Sequence, residues 1–247
     1  MKIFALSDFH LSFATPGKSM EVFGDIWKDW TKKIYANCHD AISDNDLLLI
    51  AGDISWANTL EQAMDDLRFI ASLPGQKIIL KGNHDFWWPS YSKLVKALPQ
   101  KVYAIQNNSF KFGEVCIGGT RLWDTPEYGF SDLINLENNQ FGKDEIKKTC
   151  PEDEKIFERE LLRLEMSLNT MKQSSKKVIM THYPPISSDL KDSKVSKILE
   201  AHDVKSSVFG HLHSVKKEKK IFGSKNEVNY HLTSCDYLDF KPIEILL

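Results

Sequence analysis

Apolar residues along this chain fall into two patterns. The first is a set of short unbroken runs: KIFAL (2–6), LLLIA (47–51), KIIL (77–80), EVCIGG (114–119), KVIM (177–180) and SVFG (207–210). Such runs, bounded by polar or turn residues, predict strands buried on both faces. The tail EVNYHLTSCDYLDFKPIEILL predicts further strands. The second pattern is periodic. Trp27, Trp30, Ile34, Cys38 and Ala41 recur at spacings of three and four within 25–42, as do Leu60, Ala63, Leu67 and Ile70 within 59–73. Phe157, Leu161, Leu164, Leu168 and Met171 do the same within 152–171. These stripes predict amphipathic helices whose apolar faces are core seams. Asn58 with Glu61 reads as a capping signal for the second helix, Pro74-Gly75 as its end, and Pro151 as the opening of the third. Helices between the early strands, then a strand-rich tail, predict an α/β sandwich. No repeat, low-complexity segment or linker interrupts the chain, so one domain over 1–247 is expected.

Composition narrows the class of protein. Of 247 residues, 42% are hydrophobic and 27% charged, which suits a globular chain with a real core. Lys and Arg number 32 against 34 Asp and Glu, giving −2, so no global basic field argues for nucleic acid. The run KKEKK (216–220) is expected to be a solvated hairpin tip. No apolar stretch approaches a membrane span, and MKIFALSD is too short in apolar residues for a secretory h-region. Cys38, Cys116, Cys150 and Cys235 are scattered, with no C-x-x-C pair, which fits reduced thiols. A cytoplasmic protein is the expectation.

The chemistry gathers at the strand ends. After KIFAL comes Ser7-Asp8-Phe9-His10, and after LLLIA comes Gly52-Asp53. KIIL leads into Gly82-Asn83-His84-Asp85, KVIM into Thr181-His182-Tyr183-Pro184-Pro185, and SVF into Gly210-His211-Leu212-His213. Any one of these could be a turn with local hydrogen bonds. Metal-competent side chains at five strand ends in succession are a different matter. Ligands of open α/β sheets gather beyond the carboxyl ends of strands, and five of the eight histidines lie there. His39, His202 and His231 lie elsewhere and are read as structural.

The succession D-x-H, GD, GNHD, H and GHxH resembles the calcineurin-like metallophosphoesterase superfamily, over Asp8 to His213. HYPP and GNHDFWW are similar to bacterial phosphohydrolases within it. The resemblance implies a four-layer α/β/β/α sandwich with two mixed sheets, binding two divalent metal ions. It implies that Asp8, His10 and His213 hold one ion, that Asn83, His182 and His211 hold the other, and that Asp53 bridges them. That mixed O/N donor set suits Mn, Fe or Zn. The resemblance further implies that His84 acts on the phosphoryl group and protonates the leaving oxygen, with Asp85 orienting its ring. Water acidified by both ions would be the nucleophile.

Departures from the superfamily pattern narrow the subgroup. GDISWA lacks the arginine of the protein phosphatases, and Trp56 stands where purple acid phosphatases place a ligating tyrosine. The segment 11–45 between the first two motifs is longer than the family minimum. TPGKS (15–19) is not a P-loop, because Ser12 stands where its first glycine belongs. A metal-binding interaction scaffold is the non-enzymatic alternative. A small phosphoester substrate, with a nucleotide among the candidates, is expected, with cyclic-nucleotide phosphodiesterase and phosphomonoesterase as further alternatives. Diesters are favoured because monoester dianions call for arginine clamps. Of the four arginines, Arg68, Arg159 and Arg163 fall on amphipathic helices, and only Arg121 in GGTRLW could reach the site. Trp56 and Trp88 could form a stacking rim for a base, or could be core aromatics.

Overall fold

The computed structural model describes residues 1–135, 150–218 and 221–247. In chain order its strands are β1 (Ile3–Ala5), β2 (Leu47–Ile50), β3 (Gln76–Leu80), β4 (Val102–Ile105), β5 (Ser109–Phe112), β6 (Val115–Gly119), β7 (Lys176–Met180), β8 (Ser206–Phe209), β9 (Gly223–Lys225), β10 (Val228–Leu232) and β11 (Ile243–Glu244). The helices are α1 (Trp30–Ala41), α2 (Leu60–Ser72), α3 (Tyr91–Ala97), α4 (Pro151–Asn169) and α5 (Lys194–Ala201).

Two mixed sheets form. The first has the order β11-β1-β2-β3-β4, parallel except for β11. The second has the order β5-β6-β7-β8-β10-β9, parallel except at its two edges. Strand alternation explains why both faces are apolar. Ile3, Ala5, Leu47, Leu49, Ile78 and Leu80 meet Val115, Ile117, Val178, Met180 and Val208 between the sheets. Their neighbours Phe4, Leu48, Ile50 and Ile79 point the other way, onto Trp30, Ile34 and Cys38 of α1 and Ala63, Leu67 and Ile70 of α2. On the far side, Cys116, Ile179 and Phe209 meet Phe157, Leu161 and Leu164 of α4 and Val195 and Leu199 of α5. The result is the expected helix–sheet–sheet–helix order. Each fully buried aliphatic side chain contributes about 1.5–3 kcal/mol.

Local details differ from the sequence reading. Thr59, not Asn58, caps α2: its hydroxyl accepts from the Gln62 amide, while the Asn58 amide turns to Gln62 Oε1. The stripe of 25–42 is helical only from Trp30. Trp27 sits in a preceding 3-10 turn, because the chain must bend at Lys28-Asp29, where Asp29 is left-handed at φ 54°. The short elements α3, β4, β5, β9 and α5 do not stand out in the sequence, being too brief to repeat an apolar pattern more than about twice. Within KKEKK, Lys216 to Glu218 are exposed, and 219–220 lie outside the described residues. The nearest tight hairpin is instead β9–β10, with Asn226 and Glu227 both at positive φ, as a two-residue type I′ turn requires.

Lys77 begins an apolar run yet is fully buried. Its Nζ donates to the carbonyls of Ala71, Leu73 and Gly75, at 3.0, 2.7 and 2.9 Å, so it satisfies the chain end of α2. Burial pulls its pKa down to about 8.

Candidate metal centre

Five strand ends deliver the motif side chains to one edge of the sandwich. A bridge between Ser7 and Ser234 continues the pairing past β1, and the Asp8 amide donates to Gly52 O. The first and second motifs are thereby in contact. The backbone then turns sharply. Asp8, His10, Asp53 and His211 all have positive φ, at 59°, 45°, 50° and 74°. Such conformations cost a non-glycine residue free energy and persist where the surroundings hold them. Here the turns aim carboxylates and imidazoles at one another instead of along the strands.

Two clusters of donor atoms result, and both are buried. Asp8, His10 and His213 form one, and Asp8, Asp53 and His182 form the other, with the donor atoms of each lying within 4.8 Å of one another. Asn83 joins the second cluster: its Oδ1 is 2.5 Å from His182 Nε2 and 3.1 Å from His211 Nδ1. Asp53 Oδ2 lies 3.6 Å from His10 Nε2 and 3.5 Å from His182 Nε2, midway between the clusters. The structure therefore brings together all of Asp8, His10, Asp53, Asn83, His182, His211 and His213.

The donor set fits divalent cations. Burial and neighbouring imidazoles hold His10 and His182 neutral, and burial pulls His211 down to about 3. His182 Nδ1 is 3.0 Å from Ala51 O, so its single proton goes there and the Nε2 lone pair faces Asn83 Oδ1. Two acceptors at that separation repel unless a positive charge joins them. His213 Nδ1 is 2.9 Å from Asp236 Oδ1, which turns its Nε2 toward His10 Nε2 at 3.1 Å. Burial also pushes Asp8 up to about 7 and raises Asp53 well above the carboxylate range, each aggravated by a neighbouring carboxylate. Such carboxylates require nearby cationic charge to stay ionised at neutral pH.

Two glycines are explained by close approach. A Cβ on Gly82 would stand 2.0 Å from Asp53 Oδ1, and one on Gly210 would stand 2.2 Å from Asp8 Oδ2. The glycine of each motif makes room for the carboxylate of another.

The remaining candidates sort as follows. His84 is half-buried beside the clusters, its ring 5.6 Å from that of His10, and its amide donates to Asp53 Oδ1 at 2.9 Å. Asp85 departs from expectation. Its carboxylate receives the amides of Ile54, Ser55 and Gly82 and the Trp87 indole, at 2.9, 3.1, 2.7 and 2.9 Å. These are the bonds of a clamp tying the Asp53 loop to the Asn83 loop, in place of the expected orientation of the His84 ring. Trp56 stacks on His10 at 4.9 Å and meets His84 at 4.6 Å, so it braces ligands rather than standing as a free rim. Trp88 is 7% exposed, its indole donating to Gln106, and is a core aromatic. The exposed aromatic near His84 is Phe86, 66% exposed, which the sequence reading passed over. Arg121 lies on the site's border: its carbonyl accepts the amides of His182 and Tyr183 at 3.0 and 3.1 Å.

Asp236 was also missed, because nothing in SCDYLD marks a carboxylate as the partner of His213. The segment 11–45 has a visible role. The Trp30 indole donates to Phe9 O, between Asp8 and His10, and the Trp27 ring packs 5.8 Å from His213. Beyond it, a cavity of about 790 Å3 separates Val22 to Ile26 from Ser214 to Glu218, with Asp236 on its wall. Among the described residues no helix is long and apolar enough to cross a membrane.

Three solved structures are similar to the chain. A solved phosphopantetheinyl hydrolase from Mycobacterium tuberculosis is 14% identical, covering 99% of this chain and 95% of its own, with a TM-score of 0.58. A protein of unknown function from Aquifex aeolicus is 17% identical, covering 98% and 95%, with a TM-score of 0.46. A purple acid phosphatase from yellow lupin seeds is 15% identical, covering 86% and 38%, with a TM-score of 0.42. No curated protein sequence matches the chain. The sequence model of the calcineurin-like phosphoesterase family matches residues 1–215, and the chain belongs to that family, as a metal-dependent phosphoesterase.

Proposed function

We propose that this protein hydrolyses small phosphodiesters at a dinuclear centre. The observation that carries the reading is the position of Asp53 Oδ2, about equally far from one histidine of each donor cluster. Asp8, His10 and His213 would hold one ion, Asn83, His182 and His211 would hold the other, and Asp53 stands within reach of both sets. The mixture of carboxylate, amide and imidazole favours Mn, Fe or Zn. When bound, the two ions acidify water and neutralise charge on the phosphoryl oxygens.

The chain's own residues do the rest. His84 stands beside the clusters with its backbone anchored on Asp53, so its ring can meet the phosphoryl group and give a proton to the leaving oxygen. Asp85 keeps the two loops in register. A diester is favoured because a single arginine, Arg121, borders a ligand-bearing segment, where monoester enzymes commonly add clamps.

The test is a comparison of bis(p-nitrophenyl) phosphate with p-nitrophenyl phosphate, using protein loaded with Mn, Fe or Zn. The expected result is a kcat/KM at least about tenfold higher for the diester, a difference of about 1.4 kcal/mol in the barrier. A monoester preference would overturn the diester assignment. Failure to hydrolyse either ester with any metal would overturn the catalytic one.

A further inference from the structure

Arg159 and Arg163 read from sequence as surface residues of a helix, remote from the motifs. The structure gives them a different setting. Arg163 Nη1 is 2.6 Å and Arg159 Nη2 3.9 Å from Glu160 Oε1, and the Glu160 carboxylate is almost fully buried. Its other oxygen accepts the Thr120 hydroxyl at 2.5 Å. Two turns earlier on α4, Asp153 accepts the Trp123 indole at 2.9 Å. The segment 120–123 is thus pinned to α4 at both ends, and Arg121 lies between the pins. Three of the chain's four arginines converge there.

Arg121 is the member that faces the site. Its carbonyl carries the amides of His182 and Tyr183, and its guanidinium lies over the Trp123 ring, 4.4 Å from the centroid. Stacking uses the flat face of a guanidinium and leaves its edge of N–H donors available to an oxyanion. Among the described residues, no carboxylate lies within ion-pair distance of it; Glu160 is taken up by Arg163, Arg159 and Thr120. Lys81 follows β3 directly, precedes Gly82-Asn83 on the facing sheet, and feels the charge of Arg121. Glu160 offsets part of this positive charge, and its own oxygens are already engaged by Arg163, Arg159 and Thr120, which leaves the Arg121 donors to meet a further anion.

We propose that Arg121 and Lys81 form a second oxyanion subsite beside the metal centre, so that the substrate is a phosphodiester whose retained arm carries a further phosphate. The inference rests on the diesterase reading above and specifies its substrate class. The reacting phosphoryl lies over the metal donors, and the second anion meets the Arg121 edge on the His182 side. Glu160 and Asp153 hold that edge in place.

Two diesters with one leaving group test it: 4-nitrophenyl ethyl phosphate and 4-nitrophenyl 2-phosphonoethyl phosphate. The Mn-loaded protein should favour the phosphonoethyl ester by about tenfold or more in kcat/KM. Arg121→Gln and, independently, Lys81→Gln should bring that ratio toward one, with melting temperatures recorded for each variant. Lys81→Gln keeps the test alive if Arg121→Gln misfolds, since it leaves the contacts of segment 120–123 with α4 intact. A wild-type ratio near one overturns the subsite while leaving diester hydrolysis standing. Equal losses on both esters overturn it too, assigning Arg121 to the reacting phosphoryl group. Hydrolysis of neither ester overturns the catalytic reading, and the subsite falls with it.

Discussion

Asp53 Oδ2 lies 3.5 Å from Nε2 of His182, across the gap between the two sheets. The same oxygen is 3.6 Å from Nε2 of His10, on its own sheet. One atom therefore serves both donor clusters, and its removal should be felt by both. Asp53→Asn should bind markedly fewer than the two Mn ions per chain expected of the wild type, measured by elemental analysis after reconstitution. Retention of two ions by the variant would remove Asp53 from the bridging position.

His84 belongs to neither donor cluster. His84→Asn should keep its metal content and lose about 10²-fold or more in rate, the range for a lost proton donor. The loss should shrink for esters of very acidic phenols, which depart without a proton. A series of aryl methyl phosphates would show it as a steeper dependence on leaving-group pKa in the variant. An unchanged dependence would assign His84 to charge stabilisation instead.

Asp236 belongs to neither donor cluster but accepts from His213 Nδ1 and from the Ser214 amide. It sets which nitrogen of His213 is free and raises the basicity of the ring. Asp236→Asn should weaken metal binding by about 10–100-fold, read by competition with a chelating dye. The fold should persist, since Asn can still accept from the Ser214 amide. Unaltered affinity would show that His213 is oriented by other contacts.

Gly82→Ala tests the packing of one motif on another. The new methyl would meet Asp53 Oδ1 and the Asp53 amide at 2.0 and 2.2 Å, and backbone cannot yield cheaply. Metal content and melting temperature should both fall. Gly17→Ala, where a Cβ has open space, is the control and should change neither.

Asp66 supplies a pH dependence away from the metal donors. It is buried under Ser55 and the Phe13 amide, and burial pushes it up to about 6 from the usual 3.8. The folded state therefore binds this proton more tightly than the unfolded chain does. Its contribution to stability is greatest below about pH 4, declines as pH rises to about 6, and is flat above. Asp66→Asn does not titrate, so its stability relative to wild type should improve between pH 4 and 6. Urea unfolding across that range measures the difference, and a constant difference would place the Asp66 pKa near its ordinary value.

Much of this was legible in the chain because it depends on local pattern. The six apolar runs became β1, β2, β3, β6, β7 and β8, since a buried strand needs only a few apolar residues and a turn. The motif order, read through family resemblance, named the donor residues. Short elements were not legible: α5 shows its apolar stripe only at Val195, Ile198 and Leu199, and β9 is three residues held by β10, so neither repeats a pattern often enough to stand out. The roles of Asp85, Trp88 and Asp236 were not legible either. A carboxylate that clamps two loops and one that orients a ring look alike in sequence, and an indole's burial depends on what covers it.

The sequence by itself determined which side chains can serve as donors, the alternation that makes both sheet faces apolar, and the glycines that permit close approach. Tertiary structure decided distances. Asp8 and His211 are 203 residues apart in the chain, and only the meeting of β1 with β8 sets the His211 amide 3.1 Å from Asp8 Oδ1. The left-handed backbone at Asp8, His10, Asp53 and His211 is likewise a product of assembly. Asp and His tolerate this region better than most side chains, and packing of one motif against the next makes the alternatives costlier. Arg121, Arg159 and Arg163 make the same point on the other side of the site. Their convergence exists only because Glu160 and Asp153 dock segment 120–123 on α4, and no spacing in one chain segment encodes a contact with another.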